Sequence, residues 1–222
     1  MLIRSGLIKN FDSVDTDAFS RHWREVHGPI ASRLPNLRGY VQNHVVDRGE
    51  ALNSDVIHRI DGISQLWFDD VDSMAAAFVS PEQDACVADI SGFLEKVTLA
   101  IQDPGAWQDM VGGAPSGGSK LLAVYIGAAS AAEIAAATAS AYSTHPRPPA
   151  RFRVNPIIAG DFIVDPTIAR DEAPIIAVLE AVFANDEDRH RTIAEGVLNV
   201  AGPLAPAAVL GVEPHTFIAP PR

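Results

Sequence analysis

Residues 111–119 read VGGAPSGGS, with four glycines, two serines and one proline in nine positions. A stretch with that much backbone freedom and a proline supports neither helix nor strand, so it acts as a flexible connector. It stands at the midpoint of a 222-residue chain. A break there divides the chain into two units of about 110 residues each, a common domain size. That position predicts an internal duplication, which a comparison of the two halves tests.

Both halves read in the same order. In the first, residues 2–11 are extended. A helix starts at Asp15 or Thr16 and runs to Val26, with Phe19, Trp23 and Val26 on one side. His27-Gly28-Pro29 interrupts it, and a shorter helix continues to Leu34. Residues 37–46 alternate as a strand, a polar loop spans 47–59, and a second strand covers 62–68. Asp70 or Asp72 caps a helical region with a break at Ser80-Pro81 that reaches Glu95, and a last strand lies near 96–101. In the second half, strands are expected at 120–126, 152–163, 174–183 and 206–217. Helices follow Ser130 (to Ser143) and Asp186 (to Asn199). Two β-α-β-β-α-β units predict an α+β fold of two tandem ferredoxin-like domains. The expected domains are residues 1–111 and 120–222, joined by a linker at 112–119.

The composition narrows the function. The hydrophobic fraction of 47% supplies a sizeable core, and the formal charge of −11 disfavours nucleic acid or an anionic membrane as partner. One cysteine, Cys86, leaves no intramolecular disulfide framework and no multi-thiolate zinc site. No apolar run is long enough for a spanning helix, and the N-terminus lacks a secretory pattern, so a cytoplasmic location is expected.

Three segments carry candidate chemistry. In His22-Trp23-Arg24-Glu25-Val26-His27-Gly28-Pro29, the Gly-Pro pair sets His27 at a helix end. There it can titrate near neutrality and move protons, or act as a cap or core histidine. His22 and His27 are five apart, so on an α-helix they do not share a face. In the strand 38–45, Tyr40, Gln42 and His44 alternate with Val41, Asn43 and Val45. The valine face is expected against the helices, which turns the polar row toward a partner sheet or solvent. In 58–68, Ile63, Gln65 and Trp67 share a face, with Trp67 a pocket wall or core residue. His58 and Asp61 sit at the strand's mouth, closing over a ligand or anchoring the loop. His27, His44 and His58 could meet around zinc or iron, but no spacing requires it and no metal is expected. There is no Walker motif and no Gly-x-Ser-x-Gly elbow.

The segments WREVHGP (23–29), LPNLRGYVQNH (34–44) and DGISQLWF (61–68) together resemble the EthD family, over residues 1–110 and in the family's order and spacing. The resemblance implies a dimeric α/β-barrel architecture in which two sheets face each other around a pocket. Members include a muconolactone methylisomerase and fungal polyketide dehydratases, which work with histidine and tyrosine side chains and no cofactor. The family's helix-end histidine corresponds to His27 and its strand tyrosine to Tyr40. Gln65 stands where the family usually has an acid. The second half has no counterpart of WREVHGP and reads as a degenerate repeat, with His145, His190 and His215 structural or exposed.

The resulting expectation is a cofactor-independent lyase, dehydratase or isomerase acting on a small aromatic or lactone-like metabolite, in a catabolic setting. His27 serves as acid and base, and Tyr40 donates to a carbonyl or enolate oxygen. Gln42, His44 and Gln65 orient the substrate, Trp23 and Trp67 form walls, and His58 and Asp61 guard the mouth. A monooxygenase of the same superfamily and a non-catalytic binding protein are the alternatives. A homodimer is expected, with the barrel pairing either within one chain or between two.

Overall fold

In the computed structural model, which describes residues 1–49, 56–111, 118–158, 160, 165–199, 202 and 204–221, local sequence signals set the element boundaries. Asp15 accepts from the Ala18 amide at 2.8 Å and starts α1 (Thr16–His22). One π-helical turn (Trp23–His27) and the short α2 (Gly28–Ala31) follow. Asp70 and Ser73 form a reciprocal cap on α3 (Val71–Ala77), and Ser80 with Pro81 in the first turn starts α4 (Pro81–Ile90). Ser130 and Glu133 cap α5 (Ala131–Ser143), and Asn185 caps α6 (Asp186–Ala194). α6 stops short of the expected Asn199 because Gly196 turns left-handed at φ 61°. α4 likewise ends at Ile90, short of Glu95.

The strands are β1 (Leu2–Asn10), β2 (Gly39–Arg48), β3 (Gly62–Phe68), β4 (Leu94–Gln102), the two-residue β5 (Gln108–Asp109), β6 (Ser119–Ile126), β7 (Arg151–Pro156), β8 (Ile175–Phe183) and β9 (Ala208–Ile218). Of the expected linker 112–119, residues 112–117 lie outside the described residues, and Ser119 already belongs to β6. The expected extension of the 152–163 strand past Pro156 also falls largely outside them.

The nine strands among the described residues join one sheet, in the order β4-β1-β3-β2-β9-β6-β8-β7-β5. Strands β4-β1-β3-β2 and β9-β6-β8-β7 each have the ferredoxin-like arrangement, so the fold is two tandem βαββαβ units. The units join where β2 pairs antiparallel with β9, from Tyr40 opposite Ile218 to Arg48 opposite Leu210. The sheet curls until its far ends meet. The Ile158 amide bonds to the Ile101 carbonyl at 2.7 Å and the Asp103 amide to the Pro156 carbonyl at 3.0 Å. One chain therefore closes its own α/β-barrel, and no second copy is needed to complete it.

One part of the barrel interior is apolar and drawn from both units: Leu7, Val45, Ile63, Ala100, Leu122, Val124, Val178, Leu210 and Val212 pack together. This corrects the expected orientation of β2. Its valine face points into the barrel, and Tyr40, Gln42 and His44 lie under the helices of the first unit. A period of two separates the faces of a strand but carries no sign. Compact β-branched residues fill a narrowing barrel, whereas the helix layer supplies hydrogen-bond partners for the polar row.

Helix and sheet approach closely where Trp23 covers Gly62. A Cβ at Gly62 would stand 2.4 Å from the indole. Trp23 is held from behind by Phe19, stacked at 5.4 Å, and by His44, at 4.5 Å between ring centres, so it has little room to retreat. Gly62→Ala is expected to destabilise the fold by about 1–3 kcal/mol through this overpacking. An unchanged thermal melt would show that the indole can shift.

Candidate active site

The π-helical turn sets the geometry. The Gly28 amide bonds to the Trp23 carbonyl five residues back, and Pro29 has no amide hydrogen to restore the α-helical ladder. A wider turn stacks residues five apart, so His22 and His27 come to the same side, contrary to the α-helical expectation. Both reach Asp89 on α4: His22 Nε2 lies 3.0 Å from Oδ1, and His27 Nδ1 lies 2.9 Å from Oδ2. Burial works to raise the Asp89 carboxyl, but the bonds from His27 and His22 outweigh it and leave the group below its ordinary value. Because the carboxylate only accepts, the His27 proton sits on Nδ1. Nε2 then carries the lone pair, and it is the nitrogen left for a ligand in the cavity that the ring lines.

Tyr40 is positioned by a chain of bonds whose directions can be assigned in turn. The Trp23 carbonyl only accepts, so the Gln42 atom 2.7 Å away is the Nε2 donor, which also donates to the Tyr40 hydroxyl at 2.8 Å. Gln42 Oε1 must then accept from His44 Nε2 at 3.2 Å, and His44 Nδ1 accepts from the Ser20 hydroxyl at 2.7 Å. The Tyr40 oxygen is thus an acceptor from Gln42, and its own proton is left to donate into the cavity. Burial pushes the Tyr40 phenol well above its ordinary value, so it stays protonated. Its ring stacks on Phe217 of β9 at 5.1 Å, so the second unit forms part of the site's back wall.

Burial first, then His215 and Arg24, hold His44 down to about 3 from an ordinary 6.5. Below 6.5 the unfolded chain takes up a proton that the folded chain refuses. The stability tied to His44 is therefore present above 6.5 and lost as the pH falls toward 3. His44→Gln is expected to flatten this acid limb in melting temperature measured against pH. An identical limb in the variant would assign the loss to other groups.

Between sheet and helices lies a cavity of about 60 Å³, room for about four or five waters. Trp23, His27 and Tyr40 line it together with Arg4, Ser64, Leu66, Phe78, Gln83 and Cys86. Gln42 and His44 stand directly behind Tyr40. The structure does not bring the other candidates here. Gln65 and Trp67 are on the opposite face of β3: Trp67 packs on Ile3 and Val41, and Gln65 bonds Asn43, Lys120 and Glu180. His58 is held by Asp171 at 2.7 Å and by the Leu7 carbonyl at 3.1 Å. Asp61 takes Arg48, Arg59 and the Asn10 amide. These bonds tie both residues into the chain outside this cavity, and His58 lines a separate cavity of about 320 Å³ with Ile57, Ile60 and Leu210. Among the described residues no set of three His, Cys, Asp or Glu side chains converges as metal ligands.

In the second unit, His145 pairs with Glu195 and His190 with Asp47, while His215 packs edge-on against His44 at 4.7 Å. Sequence reasoning missed Arg4, Gln83 and Asp89. Each is a polar residue on an otherwise apolar stripe: Arg4 between Leu2 and Ile8 on β1, and Gln83 and Asp89 beside Cys86 and Ile90 on α4. That pattern was the available signal.

Residues 12–96 match the family model described as the EthD domain. No curated protein matches the sequence significantly. Among solved structures, the chain is similar to an anthrone oxidase-like protein at a TM-score of 0.62 and 10% identity, covering 97% of this chain and 92% of that one. It is also similar to a candidate monooxygenase from Fusobacterium nucleatum at a TM-score of 0.52 and 8% identity, covering 98% and 95%. An EthD family protein from Bacillus halodurans C-125 matches 46% of this chain at 22% identity, over 98% of its own length, with a TM-score of 0.38. At these identities the first two show a shared fold. No helix among the described residues is long and apolar enough to cross a membrane.

Proposed function

We propose, on the premise that the chain belongs to the EthD family through residues 12–96, that it is an enzyme working by proton transfer between side chains and a small metabolite. His27 Nε2 takes a proton from a carbon next to a carbonyl. The Tyr40 hydroxyl donates to the oxygen on which the negative charge develops. His27 then returns the proton to another carbon or to a leaving group, which gives an isomerase or a lyase. One observation carries this reading: Asp89 fixes the His27 tautomer so that the basic nitrogen meets a cavity shared with a hydroxyl donor. Trp23 supplies an apolar wall, and Gln42 and His44 act through Tyr40. The small cavity favours a compact, ring-sized or lactone-like substrate over an extended one. A homodimer would associate two barrels that are each already closed.

The named functions of the structural neighbours favour a second reading, monooxygenation, in which the same carbanion formed by His27 adds dioxygen to give a hydroperoxide that loses water, leaving one oxygen on the oxidised carbon. Mass spectrometry of hydroxyketones, unsaturated lactones and aromatic alcohols incubated with the protein separates the classes. Rearranged product of unchanged mass means isomerase, loss of water or a carbon fragment means lyase, and gain of oxygen means monooxygenase. Retention of intact compounds with no turnover across the panel would replace the enzymatic reading with a binding role.

A further inference from the structure

Among the described residues, no carboxylate pairs with Arg4. It sits on β1 at 6% exposure, with neither a hydrogen bond nor an ion pair among the described residues. Its guanidinium lies 3.8 Å from the centre of the Phe78 ring. A ring face attracts the cation but satisfies none of its five N–H donors in the way oxygens do. Among the described residues, no Asp or Glu lines the cavity into which Arg4 opens, although the chain has 28 acidic side chains to draw on. The group beside it able to become an anion is Cys86, and burial raises that thiol to about 11, so it is neutral near pH 7. Burial pulls the guanidinium down to about 9, opposed by Cys86 and by no carboxylate.

Burying an uncompensated cation is among the costliest arrangements a fold can hold. It is tolerable where a ligand completes the pairing. Gln83, in the same wall, adds an acceptor rather than a second anion contact: its Oε1 is buried without a hydrogen-bond partner and suits a hydroxyl or amide N–H of the ligand, not its anionic oxygen.

We infer that Arg4 anchors an anionic oxygen of the ligand, the carboxylate or phenolate of a small organic acid, in the cavity lined by His27 and Tyr40. The inference rests on that cavity being the active site, and it adds to the substrate class: the ring or lactone compound also carries an acidic group, rather than being neutral throughout. A carboxylate matches the planar fork of a guanidinium in two parallel bonds. Held there, the acid fixes which part of the substrate faces His27.

The test uses benzoate and its neutral counterpart benzamide, titrated calorimetrically into the wild type, Arg4→Met, Arg4→Gln and His27→Ala. The wild type is expected to bind benzoate at least about tenfold more tightly than benzamide, the size of a charge-assisted bond. Both Arg4 variants should lose that preference, and His27→Ala should keep it. Without ligand, Arg4→Met should melt at or above the wild-type temperature, because the variant removes an unpaired buried charge. An arginine serving structure alone would instead leave the variant less stable. Equal affinity for the two probes, no binding of benzoate by the wild type, or a preference that survives both Arg4 variants would overturn the inference. The underlying site fails separately: His27→Ala that turns over substrate at the wild-type rate sinks that reading whatever Arg4 binds.

Discussion

His27→Ala is expected to lower kcat by about 10²–10⁴-fold, the usual contribution of a positioned acid-base group. Asp89→Asn should come close to that loss for a different reason. The carboxylate that accepts from His27 Nδ1 becomes an amide able to present its N–H to the ring. The imidazole then moves its proton to Nε2, where it can no longer take one from the substrate. The ring stays in place and only its tautomer changes, so the defect should fall on kcat more than on KM. His22→Ala removes one of the two bonds to the same carboxylate and leaves the other, so its effect should be smaller. Steady-state kinetics on the turned-over substrate checks the series. Equal activity in wild type, His27→Ala and Asp89→Asn would remove His27 from the chemistry.

The largest loss of stability is expected from Glu180, in the barrel interior. Its carboxylate accepts from Lys120 at 2.9 Å, Arg153 at 2.7 Å, Asn155 at 2.9 Å and Gln65 at 3.2 Å. Asn155 and Gln102 carry the network on to Ser5, so both units are tied through one acid. Burial by itself would raise the Glu180 carboxyl, but Lys120 and Arg153 outweigh it and hold the group down to about 2. Removing one partner of such a cluster strands the others. Glu180→Gln should therefore cost about 3–5 kcal/mol in chemical denaturation at neutral pH. Adding Lys120→Met should recover part of that cost, since it removes one of the stranded cations. The folded value lies below the ordinary 4.5, so this stability is present above 4.5 and lost as pH falls through about 2. The wild type should show that acid loss and Glu180→Gln should not. A variant as stable as the wild type would mean water replaces the carboxylate at little expense.

The parts of this architecture legible from sequence were those set by neighbouring residues. Asp15, Ser80-Pro81 and Ser130 mark helix starts because a cap is a local bond, and the repeated strand and helix order implies the four-strand topology of each unit. The orientation of β2 was not legible, because it depends on which layer offers partners to Tyr40, Gln42 and His44. Those partners are Ser20 and the Trp23 carbonyl, which approach through the tertiary fold. The grouping of His22 with His27 was hidden by a single inserted residue in the helical ladder, which changes every neighbour relation across that turn. Asp89 is dozens of residues from His27 in the chain, and no spacing links them. Of the substrate-contact candidates, Gln65 and Trp67 share β3 with Ser64 and Leu66, and a shift of one position decides which pair meets the cavity.

The pairing of β2 with β9 also bears on how the protein is made. β2 leaves the ribosome well before its partner strand β9 is synthesised. At about 5–20 residues per second, a gap on the order of ten seconds separates the two. Through that interval the nascent first unit carries an unpaired strand edge flanked by the apolar side chains of Val41 and Val45, a surface prone to pairing with the wrong chain. Phe217, the ring behind Tyr40, arrives on the same late strand. Assembly of the cavity and protection of that edge are therefore one event, completed only after synthesis of the second unit, and folding helpers that shield exposed strands have their longest opportunity just before it.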